Sequence, residues 1–358
     1  MITTPSIHRT LLPLSWLYGL GVKVRNLLFT WEVYKEESFP IPVICLGNLT
    51  VGGTGKTPHT EYLIRLLRHY DTAILSRGYG RETKGFVLAS PTTTAKQIGD
   101  EPYQIYQKFP FTTVAVQEKR TEGINRLMEE HHPQVILLDD AYQHRYVKAG
   151  LNILLTDYNR LMTRDHLLPA GRLREPLSGK DRAHVIIITK CPVLTANELQ
   201  ELRQEIKPGS NQHLFFSQIY YGEPQAIFQA KPFTWRDISS HTPILLIAGI
   251  ANPAPLLKQI QQYSRQVKLM EFRDHHTFTS QELENIQETL KGMGPQALLF
   301  TTEKDAARLK DMPLSQELQS RMYQIPIQVQ ITSDQQEDFD KLIINFVEHF
   351  YPVCKEQK

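Results

Sequence analysis

Short apolar runs separated by amphipathic stretches recur along the first half of this 358-residue chain. Apolar runs of about 4–8 residues are typical of buried strands, whereas apolar residues that repeat every three or four positions are typical of helices. Because helical patterns separate the runs, we expect an α/β fold with a mostly parallel sheet flanked by helices. The predicted strands lie at residues 41–46, 72–75, 112–116, 135–138, 152–156 and 185–189.

A second set of elements follows after residue 212. Two short alternating segments, 214–221 and 226–228, flank Gly222-Glu223-Pro224 and predict a two-stranded linker. A smaller C-terminal α/β domain is predicted from two strands and a helix, at 243–250, 297–301 and 339–350. We therefore expect an N-terminal helix, a core domain, the linker and the smaller domain, at residues 1–35, 36–212, 213–235 and 236–358.

The segment between the first predicted strand and the next helix reads T-V-G-G-T-G-K-T-P, from Thr50 to Pro58. It matches the phosphate-loop pattern G-x-x-x-x-G-K-[ST], except that Thr50 stands in place of the first glycine. Glycines let the backbone point successive N–H groups at phosphates, while Lys56 reaches the outer phosphates and the Thr57 hydroxyl ligates Mg²⁺. The sequence therefore predicts a P-loop NTPase-like core whose nucleotide site is formed by Thr50, Val51, Gly52, Gly53, Thr54, Gly55, Lys56 and Thr57.

Two adjacent acids, Asp139 and Asp140, end a strongly apolar predicted strand. Phosphate-loop enzymes carry the carboxylate that organises Mg²⁺ at this place. Adjacent acids repel each other unless a cation compensates them, which favours a metal site over a solvated turn. Which of the two acids is the closer ligand stays open.

Two further groups of titratable residues are less specific. Asp100 and Glu101 precede Pro102, which by itself is compatible with ordinary turn chemistry. The segment Asp274-His275-His276 places a carboxylate beside two imidazoles and fits a metal site, an acid–base pair or a plain surface.

Composition and charge limit the class of protein. Charged residues make up 22% of the chain and hydrophobic residues 41%, which is typical of a globular protein. A net charge of +2 gives no argument for nucleic-acid binding. The three cysteines are widely spaced and odd in number, which indicates reduced thiols in a reducing compartment.

The N-terminal segment 10–22 is uncharged and rich in Leu, Trp and Tyr. Lys23 and Arg25 interrupt it before the run reaches the roughly 20 apolar residues of a membrane span. No small-residue cleavage site follows it, which disfavours a secretory signal. We expect a helix at a membrane interface with aromatic anchors and basic flanks. A helix packed on the protein's own core is the alternative, and whether a membrane helix would span the bilayer or lie on it stays open.

The end of a late predicted strand bears on the choice of nucleotide. Guanine-specific phosphate-loop proteins carry an Asn/Thr-Lys-x-Asp element there, whereas this chain reads Thr189-Lys190-Cys191-Pro192. Pro192 stands where the base-reading Asp would be, which favours ATP over GTP.

Seven motifs occur in order along nearly the whole chain. They are G-N-L-T-V-G-G-T-G-K-T-P from Gly47, S-R-G-Y-G-R from Ser76, G-D-E-P from Gly99, D-D-A-Y-Q-H from Asp139, L-P-A-G-R-L-R-E-P from Leu168, F-R-D-H-H-T-F from Phe272 and T-T-E-K-D from Thr301. Together they resemble the tetraacyldisaccharide 4′-kinases of lipid A biosynthesis. Ala141 and Tyr142 replace the Gly and Phe that this family usually has.

The resemblance implies transfer of the γ-phosphoryl group of ATP to the 4′-hydroxyl of a tetraacyldisaccharide 1-phosphate lipid, with Mg²⁺ as cofactor. It implies that Asp100 is the catalytic carboxylate, with His275 as its partner and Lys56 on the phosphates. Thr57, Asp139 and Asp140 would organise the metal. The same motifs place further residues at the lining of the site, namely Glu101, His144, Arg174 and Glu175.

The resemblance also implies where the protein works. The family acts at the cytoplasmic face of the bacterial inner membrane, so we expect a peripheral or helix-anchored protein whose partners are the acceptor lipid and the membrane surface. Neither a nucleic acid nor an obligate protein partner is expected.

Two other classes of function remain as alternatives. A nucleotide-gated membrane switch would account for the phosphate loop and the N-terminal helix but not for Asp100 or the L-P-A-G-R-L-R-E-P motif. An ATP-dependent ligase would need a carboxylate acceptor and would release phosphate to water.

Overall fold

The computed structural model of the chain describes residues 8–250, 252–273, 276–310 and 312–351. The chain forms two compact units, of which the first contains Met1–Ile219 with Val329–Lys358 and the second Tyr220–Gln328. Numbered in chain order, the strands of the first unit are β1 (Val43–Asn48), β2 (Thr72–Ser76), β3 (Val87–Leu88), β4 (Thr113–Val116), β5 (Val135–Asp139), β6 (Leu151–Asp157), β7 (Val185–Thr189), β8 (His213–Tyr221) and β14 (Ile327–Ile331).

These nine strands form one sheet in the order β14-β8-β7-β6-β1-β5-β2-β4-β3. The neighbours from β8 to β4 run parallel, and the short edge strand β3 is antiparallel to β4. The order places β1 between β5 and β6, at the middle of the sheet. The mostly parallel sheet that the hydrophobic pattern predicts is therefore confirmed.

The strands are apolar throughout because both faces of the sheet are covered. In β1, Val43 and Cys45 enter the hydrophobic core on one face, whereas Ile44 and Leu46 enter the core on the other. All six residues of β1 are buried. The helices of the first unit are α1 (Leu12–Thr30), α2 (Lys56–Leu66), α3 (Ala95–Ile98), α4 (Asp100–Lys108), α5 (Arg120–His131), α6 (Ala196–Ile206) and α11 (Gln336–Phe350).

The C-terminal helix belongs to a different unit from the one that the sequence predicts. Phe339, Ile343 and Val347 of α11 are buried in the same core as Ile44 of β1, and β14 joins the nine-stranded sheet. The predicted smaller domain of residues 236–358 therefore loses its last elements to the first unit. An amphipathic pattern reports that a helix covers a sheet but does not report which sheet it covers.

The second unit has a five-stranded sheet in the order β11-β10-β12-β13-β9. Its strands are β9 (Gln225–Ala226), β10 (Ile244–Ala248), β11 (Val267–Glu271), β12 (Leu298–Thr302) and β13 (Met322–Ile325). The first four in the order run parallel, whereas β9 is antiparallel to β13. Helices α7 (Ala254–Gln261), α8 (Ser280–Gly292), α9 (Glu303–Leu309) and α10 (Gln316–Gln319) connect them.

The predicted two-stranded linker at 213–235 is not a hairpin. β8 pairs with β7 in the first sheet, whereas β9 pairs with β13 in the second. The chain thus passes from one sheet to the other between these two strands. Four short 3₁₀ helices complete the described elements, at Arg9–Leu11, Met162–Arg164, Leu177–Arg182 and Trp235–Asp237.

Candidate active site

The phosphate loop and the acidic pair lie side by side at one edge of the first sheet. β1 and β5 are parallel neighbours, and Leu46 lies opposite Asp139 in their register. The loop follows β1 and Asp140 follows β5, so both emerge at the carboxyl ends of adjacent strands. Gly52 and Gly55 adopt left-handed backbone conformations, with φ of 106° and 89°, which only glycine adopts without strain.

Side chains from the body of the first unit hold four successive carbonyl groups of the loop. Asn48 Nδ2 donates to Gly52 O over 3.4 Å and Lys190 Nζ donates to Gly53 O. Thr189 Oγ1 donates to Thr54 O over 2.9 Å, and His59 Nδ1 lies 2.7 Å from Gly55 O. With its carbonyls fixed from outside, the loop is organised before any phosphate binds.

His59 is a buried neutral group in this arrangement. Burial lowers the pKa of His59 to about 4. A carbonyl only accepts hydrogen bonds, so we assign the ring proton to Nδ1, which faces Gly55 O. Nε2 then accepts from the Ser217 hydroxyl, 2.9 Å away. The residue that follows Pro58 is therefore part of the loop's support, which the motif alone does not reveal.

Asp140 joins the loop lysine to an arginine from the L-P-A-G-R-L-R-E-P motif. Asp140 Oδ2 lies 3.7 Å from Lys56 Nζ, and Asp140 Oδ1 accepts from Arg174 Nη2 over 2.8 Å. Burial of Asp140 opposes its ionisation, but Lys56 and Arg174 outweigh burial and hold the pKa of Asp140 below its ordinary value. Asp140 is therefore ionised at neutral pH.

The pKa of Asp139 is shifted in the opposite direction to that of Asp140. The side chain of Asp139 is 2% exposed, and burial together with the negative charge of Glu101 raises the pKa of Asp139 to about 7. Thr60 Oγ1 donates to Asp139 Oδ1 over 3.2 Å. Thr57 lies one helical turn before Thr60 on the same face of α2, so its hydroxyl and the Asp139 carboxylate share one region.

This donor set fits a magnesium ion. The Thr57 hydroxyl and the Asp139 carboxylate are buried oxygen donors at the phosphate loop. A cation beside them would counteract the raised pKa of Asp139 by favouring its ionised form. Within the described residues, no group of three or more His, Cys, Asp and Glu side chains is placed to hold a metal. Mg²⁺ needs no such group, because it binds through one or two carboxylates together with substrate phosphates.

Arg120 is a site residue that sequence reasoning missed. It opens α5, is 2% exposed, and feels the charges of Asp139 and Asp140. Burial lowers the pKa of Arg120 to about 10, so it stays charged at neutral pH. Its buried Nε has no hydrogen-bond partner among the described residues. Nothing in the local sequence marks this arginine, because its proximity to Asp139 and Asp140 arises from the way the chain folds.

Asp100 and Glu101 form the first turn of helix α4 and are not part of an isolated turn. Gly99 precedes them with φ of 92°, and an added Cβ would lie 2.9 Å from Tyr79 O. The S-R-G-Y-G-R loop thus touches the start of α4 with no room for a side chain between them. Glu101 faces the acidic pair closely enough to raise the pKa of Asp139.

The predicted lining residues have distinct surroundings. Glu175 is 2% exposed and pairs with Arg182 over 2.9 Å, and it also accepts from Gln143 Nε2. That carboxylate holds the D-D-A-Y-Q-H motif to the L-P-A-G-R-L-R-E-P motif. Burial and the charge of Arg120 lower the pKa of His144 to about 4, so His144 is neutral.

The N-terminal helix is attached to the same two motifs. Tyr18 of α1 donates to Arg174 O over 2.8 Å, and Arg25 donates to Gln143 O over 2.7 Å. Ser15 Oγ donates to Leu167 O and accepts from Ala170 N, over 3.0 and 2.9 Å. No helix in the described part of the chain is long and apolar enough to cross a membrane.

His275, the predicted partner of Asp100, lies outside the described residues. Its neighbour His276 is described, and His276 Nε2 lies 2.9 Å from Glu282 Oε2 of α8. The pairing of Asp100 with His275 therefore stays a prediction.

Comparisons with known proteins point to one family. The family model described as Tetraacyldisaccharide-1-P 4′-kinase matches residues 7–348. The tetraacyldisaccharide 4′-kinase of Bacteroides thetaiotaomicron is 48% identical, covering 95% of this chain and 93% of that protein. The enzyme of the same name from Flavobacterium johnsoniae is 45% identical, with 95% and 97% covered.

A solved structure extends the likeness to the fold. The crystal structure of LpxK from Aquifex aeolicus in complex with ATP has a TM-score of 0.73 and 29% sequence identity, and the match covers 95% of this chain and 99% of that one. The seven ordered motifs, the family model and these relatives agree. The chain belongs to the tetraacyldisaccharide 4′-kinase family.

Proposed function

We propose that this chain transfers the γ-phosphoryl group of ATP to the 4′-hydroxyl of a tetraacyldisaccharide 1-phosphate, forming lipid IVA. The observation that carries the proposal is the phosphate loop beside Asp139, Asp140 and Arg174, in a chain that belongs to this kinase family. The ATP named in the crystal structure of the Aquifex relative supports the choice of nucleotide.

The loop is the proposed phosphate cradle. Two of its N–H groups are used within the protein, since Val51 N donates to Arg172 O and Thr54 N donates to Gly52 O. We therefore assign phosphate binding mainly to the N–H groups at residues 53 and 55–57. They lie at the start of α2, where the helix dipole favours negative charge, and Lys56 adds a full positive charge.

Thr57 and Asp139 would hold the magnesium ion, with Asp140 beside them. When bound, Mg²⁺ neutralises charge on the phosphate oxygens as the phosphoryl group transfers. Thr57 and Asp139 are both buried, with 5% and 2% of their surfaces exposed. Asp140 is already balanced by Lys56 and Arg174, so we assign the closer contact to Asp139.

Asp100 is the proposed base for the acceptor hydroxyl. It stands at the N-terminus of α4, next to Glu101, whose charge acts on Asp139. A carboxylate there accepts the hydroxyl proton as the new O–P bond forms. Arg120 and Arg174 supply two fixed positive charges next to the acids, where the transferring phosphoryl group needs compensation.

We propose that α1 lies on the cytoplasmic face of the membrane that holds the acceptor lipid. Its outer side exposes large apolar side chains that are 54–73% accessible, Leu14, Trp16, Leu17 and Leu20. An exposed apolar helix side with Trp and Leu is typical of an interfacial helix. Its inner side bonds the two site motifs, so membrane contact and acceptor binding would occupy neighbouring parts of the unit.

The deciding experiment follows the label from γ-labelled ATP in the presence of detergent-dispersed tetraacyldisaccharide 1-phosphate. We expect label on the lipid with the native protein and its loss with Lys56→Ala and Asp100→Ala. Label found only as free phosphate, whatever lipid is supplied, would favour a nucleotide-gated switch. Transfer that requires a carboxylate acceptor would favour a ligase.

A further inference from the structure

Asn48, the last residue of β1, is a fully buried side chain with every polar atom in use. On one side its Nδ2 group donates to Thr54 Oγ1 over 2.7 Å and to Gly52 O over 3.4 Å. Both acceptors belong to the phosphate loop. Asn48 therefore fixes the first turn of the loop directly from the strand that precedes it.

The other side of Asn48 faces Arg174 of the L-P-A-G-R-L-R-E-P motif and Gln143 of the D-D-A-Y-Q-H motif. Asn48 Oδ1 accepts from Arg174 Nη2, and the main-chain oxygen of Asn48 accepts from both Arg174 Nη2, over 3.1 Å, and Gln143 Nε2, over 2.8 Å. The same guanidinium of Arg174 also holds Asp140. One amide thus joins the loop, the arginine and the acidic pair.

We infer that Asn48 is a positioning residue that couples the nucleotide loop to Arg174, so that ordering of either one favours ordering of the other. The amide satisfies both sides in one orientation only, with its NH₂ group toward Gly52 and its oxygen toward Arg174. A flipped amide would place NH₂ against the guanidinium and oxygen against a carbonyl. If Arg174 moved away, Oδ1 would remain a buried acceptor without that partner, which is unfavourable.

The role of this coupling in catalysis rests on the proposed function, whereas the coupling itself does not. The coupling would act on nucleotide binding even without an acceptor, because Asn48 holds Gly52 and Arg174 at once. The effect is therefore measurable as the affinity for a fluorescent ATP analogue with Mg²⁺, independently of any transfer to lipid.

The test is a double-mutant cycle with Asn48→Ala and Arg174→Gln, read out as analogue affinity and as kcat/KM for ATP. We expect Arg174→Gln to weaken nucleotide binding in the native background and to have much less effect beside Asn48→Ala. The loss shown by the double variant should fall short of the product of the two single losses by about tenfold, within the roughly 2- to 150-fold range of networked pairs.

Thr189→Val is the matched control. It removes another bond to the loop, from Thr189 Oγ1 to Thr54 O, and makes no contact with Arg174. We expect its loss to multiply with that of Arg174→Gln to within about twofold. A merely structural role of Asn48 would make both cycles multiplicative, and that result would overturn the inference.

Two outcomes keep the inference separate from the proposed function. A native protein that binds the analogue, shows non-multiplicative losses and transfers nothing to lipid would retain the coupling and refute the kinase proposal. Where thermal unfolding shows that Asn48→Ala does not fold, Asn48→Ser replaces it in the same cycle, because its hydroxyl keeps a polar group in the buried space. Multiplicative losses with a folded Asn48→Ser would again overturn the coupling.

Discussion

Glu61 of α2 forms a salt bridge with Lys108, the last residue of α4, and 2.7 Å separates Lys108 Nζ from Glu61 Oε2. Gln104 of α4 donates to the other oxygen of Glu61 over 3.2 Å. These two helices begin with Lys56 and Asp100, the residues proposed for the phosphates and for the acceptor proton. One buried carboxylate therefore ties together the elements on which both groups stand.

Removing that charge should destabilise the first unit. Glu61 is 1% exposed, so Glu61→Gln takes the paired carboxylate from a buried site and leaves the lysine charge in place. Because the Lys108 side chain is 26% accessible, we expect a loss of about 1–3 kcal/mol, below the full cost of breaking a buried ion pair. Chemical denaturation measures it.

Lys108→Met serves as the partner variant in that experiment. It removes the cation while keeping the length of the side chain, and the double variant with Glu61→Gln should cost less than the two single changes together. An unfolding midpoint for Glu61→Gln equal to that of the native protein would contradict the assigned role.

Asp100→Ala should lower kcat by about 10²–10⁴-fold, the usual effect of losing a general base. Asp100→Asn is the matched control for shape, because it keeps the size of the side chain but accepts no proton, and it should fall by a similar factor. The affinity for ATP should persist in both, since the phosphate loop leads into a different helix, α2. Near-native turnover by either variant would refute the assignment.

The buried carboxyl of Asp139 should make stability depend on pH in the absence of Mg²⁺. Its pKa is about 7 in the folded protein and near 4 in an unfolded chain, so the folded state binds the extra proton between these values. Stability from this group is therefore present below about pH 4 and declines as pH rises toward 7.

Thermal unfolding of the native protein and of Asp139→Asn across that range measures the effect. The native protein should lose stability relative to the variant as pH rises, and the difference should shrink when Mg²⁺ and ATP are added, because a cation favours the ionised carboxylate. A difference that grew with pH in favour of the native protein would show that the carboxyl is not protonated as we infer.

Replacing Lys190 should weaken the binding of ATP and leave the binding of the acceptor lipid unchanged. Its Nζ bonds Gly53 O and lies 2.6 Å from Asp157 Oδ2, so Lys190→Met releases one carbonyl of the loop. We expect KM for ATP to rise about tenfold, the equivalent of one charge-assisted hydrogen bond, with KM for lipid unchanged. Lys341→Met is the control, since it removes only an exposed ion pair with Glu337 on α11.

The exposed side of α1 should govern membrane binding. Replacing Trp16, Leu17 and Leu20 by Ser removes three side chains that each contribute about 1.5–3 kcal/mol when fully buried. We expect partitioning onto anionic phospholipid vesicles to fall by at least about 100-fold in a co-sedimentation assay. Val193→Ser provides the matched control, because Val193 is 90% exposed but lies on the loop after β7. Equal sedimentation of the triple variant and the control would place the contact elsewhere.

The sequence predicts the local parts of this molecule well. The phosphate loop, the strand before it and the acids at the end of β5 are encoded within short segments, because glycine placement and apolar runs are local properties. The residues that support the site are harder to predict, because their partners are distant in the sequence. Arg120 comes near Asp139 and Asp140, and Glu61 meets Lys108, only because of strand order and helix packing. No spacing along the chain indicates such partners.

The same dependence on distant contacts explains why the sequence assigned helix α11 to the wrong unit. The apolar face of α11 has the correct period for a helix that covers a sheet, and the sequence predicts the helix itself. The unit to which α11 belongs is decided by Ile343 and Val347, which are buried in the same core as residues of β1. This packing joins segments that are about 300 residues apart in the sequence. Contacts of such long separation leave no local trace in the sequence.

Helix α1 has one side in hydrogen bonds to the site and exposes large apolar side chains on the other. On a membrane, an enzyme held this way meets its acceptor by lateral diffusion within a surface. The concentration that sets its rate is then the mole fraction of acceptor among the surrounding amphiphiles. Adding inert detergent at a constant amount of acceptor should therefore slow the reaction as competitive dilution does, while the dependence on ATP keeps its ordinary bulk form.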